Sequence, residues 1–346
     1  MNTENLLNSN YCYVIAEAGL NHNGDFELAK KLIQIASDAK VDAVKFQKRT
    51  VDNLAIKSVL DNEDLRFPEF GKTYREIREF HEFDFNQYVE LKKIAESLNL
   101  DFIVTPFDED AVDFLCNLGI EKFKLASHSL TNLNLLKYIV SKNKEIIFSI
   151  GMSEIEDIKN ATNILCKNTK QVSILHCVSS YPTNLEDSNL NFIKYIQNTY
   201  PNFITGYSGH EIGIFPSLIA CAMGANIIER HFTIDKNLVG FDHKISLEPN
   251  ELNELVDKIR QIQKIKGDGN KKISEKEKTT QAKYHVSAVS NIKILKGEIL
   301  SEEMIKYKNP GTGIPPKHIS KIIGKKLIND IEKDSILTLE MFENEK

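Results

Sequence analysis

Short apolar runs punctuate the first three quarters of the chain, and longer segments of helical periodicity lie between most of them. Runs rich in Val, Ile and Phe occupy Tyr13–Ala16, Ala43–Phe46, Phe102–Val104, Phe123–Ala126, Ile146–Phe148, Val172–Leu175, Phe203–Tyr207 and Asn226–Ile228, which makes eight candidate strands. Leu28, Ala29, Leu32, Ile35, Ala36 and Ala39 form one apolar helical stripe; Leu252, Leu255, Val256, Ile259 and Ile262 form another, opened by Pro249. Eight strands alternating with helices over roughly 260 residues is the size of a (β/α)₈ TIM barrel. A doubly wound open sheet is the alternative, but no Gly-x-Gly-x-x-Gly follows the first run.

Parallel α/β folds build their sites at the carboxyl ends of strands, and the residues there are polar. The first run leads to Glu17, then Asn21, His22 and Asn23. Later ones deliver Lys45 and Gln47, Thr105 and Phe107, Lys124 and Ser127, then Ser149, then His176 with Tyr181. The last two deliver His210 and the pair Glu229 and His231. A lone histidine is more often a satisfied core residue. Two at matching strand ends read instead as metal ligands with open positions for water or substrate. Lys45 and Lys124 lie within apolar strand text, where a cation is costly to bury without an anion. Each could pair with a barrel glutamate; together, with hydroxyl residues nearby, they read as a pocket for phosphate or carboxylate.

Six motifs in order carry a family resemblance: Val44-Lys45-Phe46-Gln47, Thr105-Pro106-Phe107, Phe123–Ser127, His176–Pro182, Gly206–Glu211 and Glu229–Thr233, preceded by Ile15–Gly24. The chain resembles the sialic acid synthases, which make nonulosonic acids from phosphoenolpyruvate and an N-acylated hexosamine. The resemblance implies Glu17, Lys45 and Lys124 as catalytic residues and a divalent metal, Mn²⁺ or Mg²⁺, on His210 and His231. Thr105, Ser127 and Ser149 would join the lysines around phosphoenolpyruvate, and Gln47, Phe107, Tyr181, Glu229 and Asp242 would surround the amino sugar. It implies condensation of the two substrates with C–O cleavage. A free N-acylmannosamine stands ahead of its 6-phosphate; legionaminic or pseudaminic acid synthesis is a further alternative. A related barrel synthase for 3-deoxy sugar acids would lack the C-terminal module, and a silent scaffold of polysaccharide biosynthesis would not need the intact polar set.

The chain also departs from the family pattern. Ser127-His128-Ser129 replaces Ser-Gly-Glu, Ser149-Ile150-Gly151 replaces Ser-Thr-Gly, Gly209 stands where many members have Asp, and Asn309-Pro310-Gly311 replaces Arg-Pro-Gly. Asn309 thereby takes the position of an arginine that reaches the sugar site of a neighbouring subunit. Residues 50–83 form a long interruption that reads as a lid over the active rim. Within it, Phe70–Tyr74 resembles the version in synthases of 6-phosphorylated sugars, and Lys72, Arg75 and Arg78 either hold a phosphate or solvate a helix. His81-Glu82 and His210-Glu211 fail as zinc-protease helices, because positions 85 and 214 are Phe and Ile. Cys177 reads as a buried thiol rather than a nucleophile.

Composition narrows the partners. With 44 basic and 49 acidic residues, no nucleic-acid footprint is expected. No long apolar stretch predicts a membrane span, and five scattered cysteines fit a reducing cytoplasm. The text divides as a barrel over 1–264, an exposed charged linker over 265–284, and a small strand-rich module over 285–346. That module resembles the antifreeze-like (SAF) domain of these synthases, which caps the partner's barrel in a domain-swapped homodimer.

Overall fold

The structure, a computed structural model, describes Leu6, residues 9–168 and residues 170–343. Strands β1 (Tyr13–Gly19), β2 (Ala43–Lys48), β3 (Asp101–Pro106), β4 (Lys122–Leu125), β5 (Glu145–Ser149), β6 (Val172–Cys177), β7 (Ile204–Gly209) and β8 (Ile227–His231) follow one another around a closed parallel barrel. β8 pairs with β1 to complete the ring. The helices are α1 (Phe26–Asp38), α2 (Val51–Leu54), α3 (Lys57–Leu60), α4 (Tyr74–Phe80), α5 (Phe85–Ser97), α6 (Glu109–Asn117), α7 (Leu133–Ser141), α8 (Ile155–Leu165), α9 (Phe192–Thr199), α10 (Phe215–Ala222) and α11 (Pro249–Lys266). The TIM barrel expected from the sequence is present, and the long interruption after β2 holds three short helices, α2 to α4.

Alternation sorts every strand between two cores. Tyr13, Ile15, Ala43, Ile103, Ile147, Leu175, Ile204 and Ile227 fill the barrel interior. Their neighbours Val14, Ala16, Val44, Phe46, Val104, Phe148, Ile174 and Ile228 face the helices, where Leu32 and Ala36 of α1 and Leu255 and Ile259 of α11 meet them. Several strands run past the apolar text: β1 reaches Gly19 rather than Ala16, and β8 reaches His231 rather than Ile228. Polar residues extend these strands because the barrel buries them and the ladder keeps their backbone paired.

The outward face of β8 carries Arg230, which is among the largest fully buried side chains. Its guanidinium donates to the Glu211 carboxylate at 2.8 Å, to the Glu211 carbonyl at 2.6 Å and to the Gly213 carbonyl at 2.7 Å. Tyr207 and Ser217 also donate to that carboxylate. The network ties the turn after β7 to β8, beside both His210 and His231. A Cβ on Gly209 would lie 2.5 Å from a Glu211 oxygen, so this packing requires glycine there.

Asn21, His22 and Asn23, which follow β1, do not join the barrel mouth. Asn21 donates to Phe232 O and Ser246 Oγ, and Asn23 to Val239 O. His22 is buried against Phe83, ring centroids 4.5 Å apart, and its Nδ1 accepts from the Gly24 backbone. Burial, then nearby His81, holds the His22 imidazole down to about 3. His81, hydrogen-bonded to Ile77 O, is held down to about 4, chiefly by burial.

The chain forms two compact units, Met1–Asp268 and Gly269–Lys346. The division falls inside the expected linker, but that segment is not extended. Glu275–Tyr284 forms α12, with Ser274 and Glu277 as a reciprocal capping box and no residue buried. Sequence reading missed it because an all-polar helix lacks an apolar stripe. In the second unit β9 (Ser287–Ser290) pairs antiparallel with β10 (Ile305–Lys308) over a core including Ala288, Ile294, Leu300, Leu327 and Leu337. Residues 344–346 of the expected module lie outside the described residues. Among the described residues no helix is long and apolar enough to cross a membrane.

Two outcomes are expected. Arg230→Met strands a buried carboxylate and should destabilise the protein by about 3–5 kcal/mol in urea unfolding; adding Glu211→Leu should recover part of that loss. Unfolded histidine, near 6.5, binds protons that folded His22 refuses, so stability should fall as pH drops from 6.5 toward the folded value of about 3. His22→Gln should flatten the slope between pH 6 and 4 by up to about 1.4 kcal/mol per pH unit, measured as urea unfolding against pH. An unchanged slope would show that His22 is not held neutral.

Candidate active site

The inward positions turn polar at the carboxyl end of the barrel. Register places Glu17 of β1 beside Lys45 of β2 on one side and His231 of β8 on the other. Lys45 Nζ lies 2.8 Å from Glu17 Oε2 and donates to Thr105 Oγ1 at 3.1 Å. Gln47 Nε2 donates to the other Glu17 oxygen at 2.6 Å. Across the mouth, Lys124 Nζ sits 3.5 Å from Glu229 Oε1 and donates to Leu125 O at 3.1 Å. Both lysines thus line the cavity, and each has a glutamate partner.

Burial costs both members of the second pair, with different results. It pushes the Lys124 ammonium down, aided by repulsion from Lys45 and opposed by Glu229. Burial alone would raise the Glu229 carboxyl, but the Lys124 and Lys45 charges outweigh it and hold the group near 2. Ser208 Oγ also donates to Glu229, at 3.1 Å. The small hydroxyls leave capacity: Ser127 Oγ accepts from Gly151 N at 2.9 Å, and Ser149 Oγ is buried without a partner.

His210 and His231 stand side by side with ring centroids 5.6 Å apart. His210 Nδ1 donates to the Val178 carbonyl at 2.9 Å, which leaves the Nε2 lone pair of a neutral ring free. His231 Nδ1 is buried without a hydrogen bond, 3.7 Å from Asp242 Oδ2. Burial disfavours the charged form of both rings. An ion about 2.1 Å from each ring nitrogen places the two centroids roughly 4.5–6.5 Å apart, so the pair fits a shared metal. Among the described residues no third His, Cys, Asp or Glu side chain joins the pair in a metal-holding group. Gly19, at φ +54°, lets the His231 ring approach; a Cβ there would lie 3.3 Å from it.

A wider outer cavity shares Gln47, Ala126, His128, Tyr181 and His231 with the inner one. Phe107 and Asp242 line the outer cavity, and Tyr181 packs on His210 with centroids 4.1 Å apart. His128 stacks on Phe107 at 4.8 Å, so its imidazole is part of the wall. The barrel therefore gathers Glu17, Lys45, Gln47, Thr105, Phe107, Lys124, Ser127, Ser149, Tyr181, His210, Glu229, His231 and Asp242 around two joined cavities. His176 is not among them: it points outward and hydrogen-bonds Ser188 O at 2.8 Å. Asn309 is exposed after β10 in the second unit. Ser208, Ser179 and Met152 line the inner cavity and Arg49 the outer, and sequence reading passed over all four. Strand parity could have found Ser208, two residues before His210.

The NeuB family model matches residues 32–271 and the SAF domain model residues 286–343. The chain is 40% identical over 328 residues to N,N'-diacetyllegionaminic acid synthase of Campylobacter jejuni, covering 94% of this chain and 98% of that protein. It is 36% identical over 334 residues to human N-acetylneuraminate-9-phosphate synthase, covering 96% and 93%. The crystal structure of N-acetylneuraminic acid synthetase from Leptospira borgpetersenii superposes with a TM-score of 0.68 at 36% identity, over 78% of this chain and 90% of that one. The chain belongs to the NeuB family, the nonulosonic acid synthases, and joins that family's barrel to a SAF domain.

Proposed function

We propose that this enzyme condenses phosphoenolpyruvate with the open-chain aldehyde of an N-acyl amino sugar, giving a nonulosonic acid and phosphate. The observation that carries this reading is the ring of buried charge at the barrel mouth, two lysines and two glutamates beside a histidine pair. Lys45 and Lys124, with Thr105, Ser127 and the unpartnered Ser149 hydroxyl, supply cations and donors for the phosphate and carboxylate. His210 and His231 would hold a divalent cation, Mn²⁺ or Mg²⁺, whose Lewis acidity would polarise the aldehyde oxygen.

Carbon 3 of the enol ester then bonds to the aldehyde carbon, and carbon 2 gains positive character. Glu17, between Lys45 and His231, is the carboxylate suited to stabilise that carbon and orient water onto it. Addition of water gives a tetrahedral carbon, and cleavage of its C–O bond releases phosphate with the electron pair. Gln47, Tyr181, Phe107, Glu229 and Asp242 bound the space left for the sugar. A cytoplasmic homodimer, with the SAF domain capping the partner's barrel, belongs to the same reading and rests on resemblance to the family.

Phosphate release from phosphoenolpyruvate, assayed across several N-acyl amino sugars, tests the reaction; no release with any of them would overturn it. Lys124→Met removes a charged contact of about 1.5–3 kcal/mol, so the KM for phosphoenolpyruvate should rise roughly 10- to 150-fold while that for the sugar changes little. Chelation should abolish turnover and added Mn²⁺ restore it. His210→Ala should be inactive with an unchanged circular dichroism spectrum, because a metal donor is lost rather than a core contact.

A further inference from the structure

The inward parity of β2 continues past the end of the strand. Ala43, Lys45 and Gln47 alternate inward, and Arg49, two residues on, extends the row to the outer cavity. Arg49 is only 7% exposed, and its guanidinium lies 3.8 Å over the Phe107 ring. Its backbone N–H donates to Glu82 Oε2 at 3.2 Å. Glu82 Oε1 stands 4.0 Å from Nη1, which is buried without a hydrogen bond. Burial and then the charge of Arg78 push the guanidinium down to about 10, so it remains a cation and a donor at neutral pH. The condensation gives this group no direct task.

What Arg49 does touch is Gln47. Arg49 Nη2 donates to Gln47 Oε1, and Gln47 Nε2 donates to Glu17 Oε1 at 2.6 Å. Among the described residues that is the one hydrogen bond on the Glu17 carboxylate. Lys45 Nζ lies 2.8 Å from Oε2, but Oε2 is buried without a hydrogen bond. A guanidinium only donates and an ionised carboxylate only accepts, so the amide between them has one permitted orientation. A flipped amide would set donor against donor and acceptor against acceptor. Glu17 alone would favour the same orientation but would not hold it. Gln47 is half-buried, borders both cavities and has three side-chain torsions, so aligning a free amide costs rotamer entropy. Arg49 clamps the amide oxygen, and Tyr88 donates to the Gln47 backbone carbonyl at 2.6 Å. The amide is therefore aligned before a substrate arrives. A cationic donor on its oxygen also polarises the amide and strengthens the bond its N–H makes to the carboxylate.

We propose that Arg49 is a positioning residue for the condensation: through Gln47 it holds the Glu17 carboxylate where that group meets the reacting carbon, and it touches neither substrate itself. The role of Glu17 rests on the condensation reading. The clamp of Arg49 on Gln47, and of Gln47 on Glu17, rests on the hydrogen bonds alone.

The test is a double-mutant cycle on the full chain, read by phosphate release from phosphoenolpyruvate with an N-acyl amino sugar. Arg49→Met keeps an unbranched side chain over Phe107 and removes the donor and the charge. Its kcat should fall roughly 10- to 100-fold, the effect of losing a hydrogen bond that serves a charged group, while both KM values stay within about threefold. In a Gln47→Met background the same substitution should cost less than about twofold more, because its route to Glu17 is already cut. Arg49→Lys, which keeps the charge and a donor, should recover part of the loss. If circular dichroism shows Arg49→Met unfolded, Arg49→Leu takes its place in the cycle. An equal loss in both backgrounds would mark Arg49 as packing, and a loss confined to a KM would mark a direct substrate contact; either overturns the proposal. Isotope-edited NMR of the ligand-free protein labelled at glutamine reads the clamp without turnover. The Gln47 amide signal, assigned by its absence from Gln47→Met, should shift in Arg49→Met, and an unmoved signal would overturn the clamp. A signal that shifts in a protein releasing no phosphate with any amino sugar would uphold the clamp and reject the condensation.

Discussion

A side chain on a barrel strand can point inward or toward the helices, and successive residues must alternate. That two-way choice governs this protein. Apolar residues on the inward parity form a floor at Ile15, Ile147, Leu175 and Ile227, and the same parity continued upward delivers Glu17, Ser149, Cys177, Glu229 and His231 to the mouth. The outward parity of those strand ends is just as fixed. Phe46, Tyr207 and Arg230 pack behind the site, so the site's geometry is held by a second layer on the helix side. Parallel register supplies the lateral order, setting Glu17 between a lysine and a histidine.

Charge follows from that geometry. Four ionised groups in a buried mouth would be prohibitive singly, but opposite signs on neighbouring strands make each tolerable. Lys45 with Glu17, and Lys124 with Glu229, keep the unliganded mouth close to neutral. Under the proposed reaction an anion would share these cations with the glutamates rather than find bare charge, so the same lysines would serve fold and ligand. The longer Lys124–Glu229 separation, 3.5 Å against 2.8 Å, marks the looser of the two pairs.

Much of this was legible because hydrophobic text marks strands and polar residues crowd their ends. All eight strands fell where the apolar runs lay, and the site residues near them came together. The misreadings have physical causes. His176 sits next to Leu175 and Cys177, both inward, so parity alone turns it outward. The helix at Glu275–Tyr284 has no apolar face, and only its Ser274/Glu277 cap betrayed it. Arg49 drew no reading from the sequence, since a ring beneath it and an unmet donor are properties of three dimensions.

Gly209 and Glu211 constrain one another. Aspartate is common at the first position elsewhere in the family by the resemblance that motifs suggest, yet here the Glu211 carboxylate, locked by Arg230, occupies the space its side chain would need. A change at 209 alone meets a collision, and a change at 211 alone strands the arginine. The two positions are therefore coupled, and a side chain at 209 would need a compensating change at 211. A glycine beside His210 is in this way fixed by a buried ion pair on the opposite face of the strand.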